Sequence, residues 1–306
     1  MLRYCVKRLL GLIPTLLIII VVSFFIVRLA PGSPFSSERN VPPEVLAELE
    51  AKYGFDKPLH LQLLHYMGNL LQGDLGLSTK YPQRTVNEIV GNGFPVSLIL
   101  GLCALIWALV IGVTSGIIGA VRQNTRFDHA AMALAVIGIS IPTFVLGPLL
   151  VLIFSLTLYW FPAGLWGSFK HVVLPAITLG TVYAAYIARL TRGGVLEVVR
   201  ADYIRTARAK GLKEMLVIWR HLLKGGLLPV VTYLGPATAH ILVGSVVVEK
   251  IFSTPGMGPY FVDAAFNRDY FLVMGIVLVD SIFLLVMNIV VDIAYAFFDP
   301  RIRLQA

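Results

Sequence analysis

The chain has 306 residues, of which 57 % are hydrophobic and only 14 % are charged, and its mean hydropathy is +0.81. This composition excludes an ordinary soluble domain, and the length admits several membrane spans of roughly 20 apolar residues each with modest loops between them. The net charge of +8 lies beside apolar runs, where it indicates membrane orientation and argues against a nucleic-acid partner.

The first predicted element follows a basic N-terminus that contains Arg3, Lys7 and Arg8. The apolar run from Leu9 to Val27 is longer than the 7 to 15 residues usual in a cleaved signal peptide, so we interpret it as a retained first membrane helix.

Apolar runs along the whole chain predict an all-α polytopic membrane protein with six spans. We place these spans at residues 9–30, 96–121, 131–160, 172–191, 227–248 and 272–298. The segments on one side of the membrane hold sixteen Lys and Arg residues and those on the other side hold eight, which predicts that both termini are cytoplasmic.

These spans divide the chain into three predicted parts. Residues 1–95 hold the first span and an extracytoplasmic segment, and residues 96–298 hold a core of five spans with a cytoplasmic loop at 192–226. Residues 299–306 form a cytoplasmic tail.

The extracytoplasmic segment contains two predicted helices. "VPPEVLAELEAKYG" begins with prolines, has apolar residues at helical spacing, and offers Gly54 as its end. "PLHLQLLHYMGNLL" repeats that spacing, and we expect its helix to lie along the membrane surface.

The basic stretch "DYIRTARAKGLKEMLVIWRH" at 202–221 predicts a helical hairpin. Asp202 is expected to cap the first helix, Arg208 and Lys210 suit its last turn, and Gly211 supplies a left-handed end. We expect the second helix to begin at Leu212, to end at Gly225–Gly226, and to carry an apolar stripe made of Leu212, Met215, Trp219, Leu222 and Leu223. The cations alone fit either a topology signal or a docking surface.

Polar and helix-breaking residues inside the apolar runs indicate packing or gating. Pro229 and Pro236 permit a bend, either as a gate or as a static kink, and Gly112-x-x-x-Gly116 offers a flat surface for close helix approach. In the last span, Asp280 and Asn288 are candidates for a hydrated pathway. Asp292, on the same helix face as Asn288, suits an ion pair with a basic loop residue better than it suits a substrate contact.

The hairpin sequence "RTARAKGLKEMLVIWRHLL" resembles the coupling loop of permease subunits in binding-protein-dependent ABC importers, which docks into a cytoplasmic ATPase. Ala207 and Gly211 match the second alanine and the glycine of that loop, whereas Arg205 replaces its usual glutamate, Thr206 its first alanine and Lys224 its frequent proline. The resemblance assigns ATPase coupling to Asp202, Tyr203, Arg205, Thr206, Ala207, Arg208, Lys210, Gly211 and Leu212.

Other stretches resemble the peptide-type permeases of this family, in order along nearly the whole chain. The likeness is strongest to the first permease subunit of oligopeptide importers, with the permeases of dipeptide and nickel importers as near relatives. It is carried by "YGFDKPLHLQLLHYMGNLLQGDLGLS", "GISIPTFVLG", "VVVEKIFSTPGMG", "NRDYFLVMG" and "VDIAYAFFDPRIR". It implies a type I ABC importer permease fold in the bacterial inner membrane, and an extracytoplasmic mouth that includes Glu249, Pro255, Gly256 and Gly258.

The same resemblance implies that this chain is a transport subunit rather than an enzyme. The sequence contains no Gly-Lys dipeptide and hence no phosphate-binding loop, so ATP and Mg²⁺ would be bound by partner ATPases. We expect no catalytic residue, cofactor or metal in the chain itself. The implied partners are a second permease, two cytoplasmic ATPases, an extracytoplasmic peptide-binding protein and the peptide. A less favoured alternative is an ion-coupled secondary transporter, although we find no internal repeat.

Overall fold

A computed structural model describes residues 2–32, 34–35, 42–243 and 245–298, and in these residues the chain is helical without a named strand. Short and long helices occur along the whole described part of the chain. They are α1 (Leu2–Leu29), α2 (Pro43–Tyr53), α3 (Leu59–Leu71), α4 (Val86–Val121), α5 (Arg126–Ser140), α6 (Thr143–Leu150), α7 (Phe169–Val199), α8 (Asp202–Ala209), α9 (Glu214–Val217), α10 (Leu223–Gly226), α11 (Leu228–Val243), α12 (Ser245–Ile251), α13 (Met257–Phe266) and α14 (Tyr270–Phe298). Two π-helical turns, Val151–Thr157 and Ile218–Leu222, continue α6 and α9.

Four helices of the described chain are individually long and apolar enough to cross a membrane. They are Gly11–Leu29, Val86–Val121, Phe169–Val199 and Tyr270–Val291. Two further bent pairs, Arg126–Ser140 with Thr143–Thr157 and Glu214–Gly226 with Leu228–Thr238, each pass the same test as one broken element. The number of spans by length and composition is therefore four, or up to six if each bent pair crosses once.

The predicted span at 131–160 corresponds to the bent pair Arg126–Ser140 and Thr143–Thr157 and not to one straight helix, because the chain bends by 108° between α5 and α6. Pro142 stands at the break and pushes the preceding residue, Ile141, into the extended region at φ −85° and ψ 116°. Proline also lacks the N–H that would have continued the helix.

Contacts divide the chain into two units, which we call the core unit (residues 98–254 and 286–298) and the N-terminal unit (the described residues of 2–97 and 255–285). Helices α4 and α14 contribute residues to both units. The predicted parts 1–95 and 96–298 stay predictions, and by its contacts the segment 255–285 groups with the N-terminal unit. The predicted tail at 299–306 lies outside the described residues.

Helix α7 forms the centre of the core unit. Its buried side chains Leu174 and Leu179 pack in one cluster with Leu100 of α4 and with Ile241 and Phe252, which follow later in the chain. Because lipid tails are as apolar as these side chains, van der Waals contact between the helices stabilises this packing within a membrane.

Small residues allow α4 to approach α7 closely, which confirms the prediction for the Gly112-x-x-x-Gly116 motif. A Cβ atom at Gly112 would lie 2.7 Å from the Ala184 carbonyl oxygen, and one at Gly116 would lie 2.6 Å from the Ala188 carbonyl oxygen. Glycine is therefore required for backbone-to-backbone contact at both positions.

The two short helices predicted in the N-terminal unit are both present. Helix α2 begins at Pro43 and is followed by Gly54 in the left-handed conformation at φ 69°, as the sequence indicates. Helix α3 buries Tyr66 in a cluster with Phe24 of α1 and with Tyr270 and Met274 of α14.

Asp269 fixes the loop before α4 to the start of α14 within the N-terminal unit. Its fully buried carboxylate accepts hydrogen bonds from the Ser78 hydroxyl, from the Lys80 N–H at 3.1 Å and from the Leu272 N–H at 3.2 Å. Burial, and after it the Asp269 charge, raise the pKa of the Tyr53 hydroxyl, which donates to the Ser78 carbonyl at 3.2 Å.

Candidate functional site

The basic hairpin predicted from the sequence is present, and its first helix, α8, has two different faces. Ile204 and Ala207, three residues apart, are buried on the face toward the rest of the core unit. The opposite face presents polar and basic side chains to the solvent. Its exposed residues are Asp202, Tyr203, Arg205, Thr206, Arg208 and Lys210.

Asp202 does not cap α8, which corrects the prediction. The residue at the cap position is Ala201, which makes no side-chain cap hydrogen bond, and Asp202 is already the first helical residue. Its carboxylate lies 3.7 Å from the Arg205 guanidinium and is 98 % exposed. A carboxylate in the first turn still interacts favourably with the helix dipole.

The end of α8 has the geometry that the sequence predicted. Lys210 is the C-terminal cap residue and Gly211 has φ +75°, in the left-handed region. The Leu212 N–H donates to the Ala207 carbonyl at 3.4 Å and the Gly211 N–H donates to the Arg208 carbonyl at 2.9 Å, which together form a Schellman motif.

One side-chain pair joins the two arms of the hairpin. Arg208 donates from Nη2 to Oε1 of Glu214 at 2.6 Å and from Nε to Oε2 at 3.2 Å. These hydrogen bonds raise the pKa of the Arg208 guanidinium, so it stays charged. Both side chains are about half exposed, and a pair of this kind contributes on the order of 1 kcal/mol or less.

The second arm of the hairpin differs from its prediction in its first residue and in the residues that form its buried stripe. It begins at Glu214 rather than at Leu212, and Met215 and Trp219 are 66 % and 67 % exposed. Val217, which is outside the predicted stripe, is buried. The π-helical turn at Ile218–Leu222 interrupts the 3.6-residue repeat at Trp219, whereas Met215 lies before this turn.

The predicted break at Gly225–Gly226 is also displaced. These two glycines lie in the helical turn α10, and the bend of 56° follows them at Leu227. Leu222 and Leu223 are buried as the stripe predicted.

The inner faces of both arms pack into one apolar cluster of the core unit. Ile204 and Ala207 of α8 share this cluster with Ala120 at the end of α4 and with Val195 of α7. Ile204 is fully buried. Because interiors pack as densely as crystals, a displacement of α8 is transmitted to its neighbours in this cluster.

Gly194 of α7 and Gly226 of α10 meet backbone to backbone, a contact that the sequence analysis missed. A Cβ atom at Gly194 would overlap the Gly226 carbonyl, and one at Gly226 would lie 3.0 Å from the Val195 Cα atom. The signal in the sequence is a Gly-Gly pair in each segment, at 193–194 and at 225–226.

A buried ion pair, also missed, fixes the turn between α4 and α5 against α7. Asp128 is 1 % exposed and accepts hydrogen bonds from Nε and Nη2 of Arg192, both at 2.7 Å. Its second oxygen also accepts the Asn124 N–H at 3.0 Å. Bidentate Arg–carboxylate pairs fix geometry as well as charge, so this pair holds α5 and α7 in one arrangement.

The two proline candidates occupy different positions in α11. Pro229 lies in the first turn of α11, where helices tolerate proline, and directly follows the bend of 56° at Leu227. Pro236 lies inside the helix and is exposed.

The intramembrane polar candidates of α14 do not gather at one described site. Asp280 and Asn288 are both partly buried, the first within the N-terminal unit and the second within the core unit. The side chain of Asp292 lies outside the described side chains.

The four residues predicted at the extracytoplasmic mouth fall into both units. Glu249, in the core unit, is fully buried and accepts a hydrogen bond from the Ser245 hydroxyl at 2.6 Å. In the N-terminal unit Pro255 is exposed, whereas Gly256 and Gly258 are buried. A Cβ atom at Gly93 would lie 3.2 Å from the Gly256 carbonyl carbon, so this turn packs tightly on α4.

Comparisons with known proteins place the whole chain among transport proteins. Residues 108–304 match the family described as "Binding-protein-dependent transport system inner membrane component", and residues 1–95 match the family of the corresponding N-terminal segment. The chain is 48 % identical over 305 residues to the oligopeptide transport system permease protein OppB of Haemophilus influenzae, covering 99 % of this chain and 100 % of that protein. It is 45 % identical over 305 residues to the dipeptide transport system permease protein DppB of Bacillus subtilis, covering 100 % of this chain and 99 % of that protein.

Solved structures support the fold. A chain of the MetNI methionine ABC transporter in an inward-facing conformation matches with a TM-score of 0.59 and 17 % identity, covering 69 % of this chain and 96 % of that chain. A chain of an amino acid ABC transporter matches with a TM-score of 0.51 and 15 % identity, covering 70 % of this chain and 94 % of that chain. At these identities the likeness concerns the fold alone.

Proposed function

Since this chain belongs to the family of binding-protein-dependent transport system inner membrane components, we propose that it lines the translocation pathway of an ATP-driven importer of oligopeptides. The chain is a multi-pass membrane permease subunit, and the pathway forms between it and a second, related permease. Two cytoplasmic ATPases hydrolyse ATP with Mg²⁺, and an extracytoplasmic protein delivers the peptide.

One observation carries the substrate class: the 48 % identity to oligopeptide permeases extends over 305 residues and over the full length of those relatives. Both the hairpin and the N-terminal unit therefore lie inside the region of likeness. A dipeptide importer is the second candidate, because the dipeptide permease is 45 % identical over the same length.

The coupling step uses the two faces of α8. Closure of the ATPase dimer displaces the exposed face that carries Tyr203 and Arg205. The buried residues Ile204 and Ala207 pass this displacement into α4 and α7 through the cluster they share. The Gly194–Gly226 contact passes the motion of the second arm into α7. The pathway then alternates between inward-open and outward-open arrangements.

In the proposed topology the chain crosses the membrane six times, with one crossing at the bent pair Arg126–Ser140 and Thr143–Thr157 and another in the predicted span at 227–248, and both termini and the hairpin lie in the cytoplasm. The excess of Lys and Arg in the predicted cytoplasmic segments supports this orientation. Pro255 and the turn around it then face the extracytoplasmic side, where peptide enters, and Pro236, Asp280 and Asn288 are the candidates for gating or lining the pathway.

The proposed function is tested by uptake of a labelled oligopeptide into proteoliposomes that contain the complete importer and its binding protein. We expect uptake to require ATP and to fall to background when the ATPase lacks the lysine of its phosphate-binding loop. Uptake that continues in that ATPase variant and follows an imposed proton gradient would instead establish an ion-coupled transporter.

The substrate class is tested in the same proteoliposomes by unlabelled competitors. We expect oligopeptides of several residues to compete strongly and dipeptides weakly, and Ni²⁺ not at all. Strong competition by dipeptides alone would assign the chain to a dipeptide importer.

A further inference from the structure

A cavity of about 220 Å³ lies within the N-terminal unit, between the last turn of α1 and the segment formed by α2 and α3. Arg28 of α1 and the buried Tyr66 of α3 line its inner part. The exposed side chains of Lys52 and Lys57 line its outer part. The cavity is therefore lined by basic side chains, with Arg28 in its inner part.

The Arg28 guanidinium is enclosed by aromatic rings, and its Nε has no acceptor among the residues that the structure describes. Its central carbon lies 4.0 Å from the ring centre of Phe55, 4.7 Å from Tyr270 and 5.6 Å from Phe24. In the described part of the chain Arg28 has no ion pair, and its buried Nε has no hydrogen-bond partner. Cation–π contacts involve the face of the guanidinium and leave its N–H donors unsatisfied.

Two more polar atoms in the same wall lack partners among the described residues. They are the hydroxyl of Tyr66, a residue that is 3 % exposed, and Oε1 of Gln62. The amide nitrogen of Gln62 is already used, since it donates to the Phe55 and Lys57 carbonyls at 3.2 and 2.6 Å. Unpaired buried polar groups are rare in native proteins. The Tyr66 hydroxyl and the Arg28 Nε are donors that an anionic oxygen can accept from, whereas Gln62 Oε1 is an acceptor and requires a donor such as a hydroxyl.

The charges around the cavity favour an anionic ligand. Three cations line it, Arg28, Lys52 and Lys57, whereas the one carboxylate among its lining residues, Asp74, already accepts the Gly76 N–H at 2.8 Å. An arginine with flanking lysines is the usual composition of a phosphate-binding site.

The position of the cavity at the end of a membrane helix identifies the source of the phosphate. Arg28 lies in the last turn of the apolar helix Gly11–Leu29, whose end meets the lipid headgroups in the proposed topology. Apolar side chains on the same helices remain exposed: Leu29 is 71 % exposed, and Leu64 and Leu71 of α3 are 63 % and 90 % exposed. We propose that the cavity binds the phosphate of an anionic phospholipid headgroup and that these exposed side chains contact its acyl chains.

The experiment uses the complete importer in membranes that contain phosphatidylglycerol with a photoreactive group on its headgroup. After irradiation, mass spectrometry maps the labelled peptides. We expect labelling within residues 51–69, competed by unlabelled phosphatidylglycerol and not by inorganic phosphate. Competition by inorganic phosphate at equal concentration would overturn the lipid assignment in favour of a free-anion site.

Variants test the named cations. We expect Arg28→Gln to reduce labelling of this segment about tenfold, which corresponds to about 1.4 kcal/mol. A Lys52→Gln/Lys57→Gln double variant should reduce it similarly, and because both positions are exposed it tests the site even if Arg28→Gln fails to assemble. Arg84→Gln is the matched control, since it removes one exposed cation of the same unit away from the cavity. Unchanged labelling in the double variant would overturn the proposal.

Discussion

The hairpin of the core unit and the N-terminal unit differ in the residues that attach them to their neighbours. The hairpin is attached through small or apolar residues, Ala207, Ile204 and Gly226, and turns its charges outward. The N-terminal unit instead encloses two of its charged side chains, Asp269, which is fully buried, and Arg28, which is partly buried among aromatic rings. Backbone contact through glycine transmits motion and leaves polar groups free for a partner, whereas buried charges fix one local geometry.

The largest effect on stability is expected at Asp269. Asp269→Ala leaves the Ser78 hydroxyl and two backbone N–H groups without their acceptor, which should lower stability by about 3–5 kcal/mol. Thermal unfolding of the purified complex measures the loss. Asp56→Ala, which removes an exposed carboxylate of the same unit, is the control and should leave the midpoint unchanged. An Asp269→Ala protein as stable as this control would show that the buried carboxylate does not fix the segment.

The next effect separates two adjacent glycines of α7. Gly194→Ala overlaps the Gly226 carbonyl and should cost about 1–3 kcal/mol by overpacking, with loss of peptide-stimulated ATP hydrolysis. Gly193→Ala meets no atom within 4 Å and should keep both stability and coupling. The comparison is read from the ratio of peptide uptake to ATP hydrolysis in proteoliposomes. Equal ratios in the two variants would mean that the Gly194–Gly226 contact carries no coupling.

A smaller effect is expected at the end of α8. Gly211 has open space around it, so a substitution acts through its positive φ alone. Gly211→Val should cost about 1–2 kcal/mol and reduce coupling, while Gly211→Asn should retain more activity, because asparagine tolerates this conformation. Uptake per ATP hydrolysed measures the difference. Equal loss in both variants would point to a steric cause instead.

The smallest effect concerns the surface pair between the arms. A double-mutant cycle with Arg208→Gln and Glu214→Gln should give a coupling energy of about 0–1 kcal/mol, and it should diminish at high salt. Thermal unfolding of the four proteins provides the values. A coupling energy several times larger would mean that the arms are joined mainly by this ion pair and not by their apolar faces.

The parts of the fold that follow local rules were predictable from the sequence. Gly54 and Gly211 both end helices in the left-handed conformation, and Gly112 and Gly116 both meet α7 closely, because each outcome depends on the missing Cβ of the glycine itself. The apolar runs likewise locate the long helices α4, α7 and α14.

The other features of the fold depend on backbone geometry and long-range contacts that the hydrophobic pattern of the sequence does not indicate. The second arm leaves Met215 and Trp219 exposed and contains a π-helical turn at Ile218–Leu222, and nothing in the composition of this arm marks such a turn. The Asp128–Arg192 and Ser78–Asp269 contacts join residues 64 and 191 positions apart, so no helical spacing connects them. For the contacts that the sequence did not predict, the available signals were an acidic residue next to an apolar run and a Gly-Gly pair inside a span.

The central claim, that the exposed face of α8 is the surface on which an ATPase acts, is tested most directly by site-specific photocrosslinking. A photoreactive amino acid at Tyr203, which is 50 % exposed, and one at Trp219, which is 67 % exposed on the second arm, are introduced separately into the complete importer. We predict a crosslink from position 203 to the cytoplasmic ATPase whose yield changes on ATP binding, and a weaker crosslink or none from position 219. Absence of an ATPase crosslink from position 203 in a complex that still transports peptide would contradict the account.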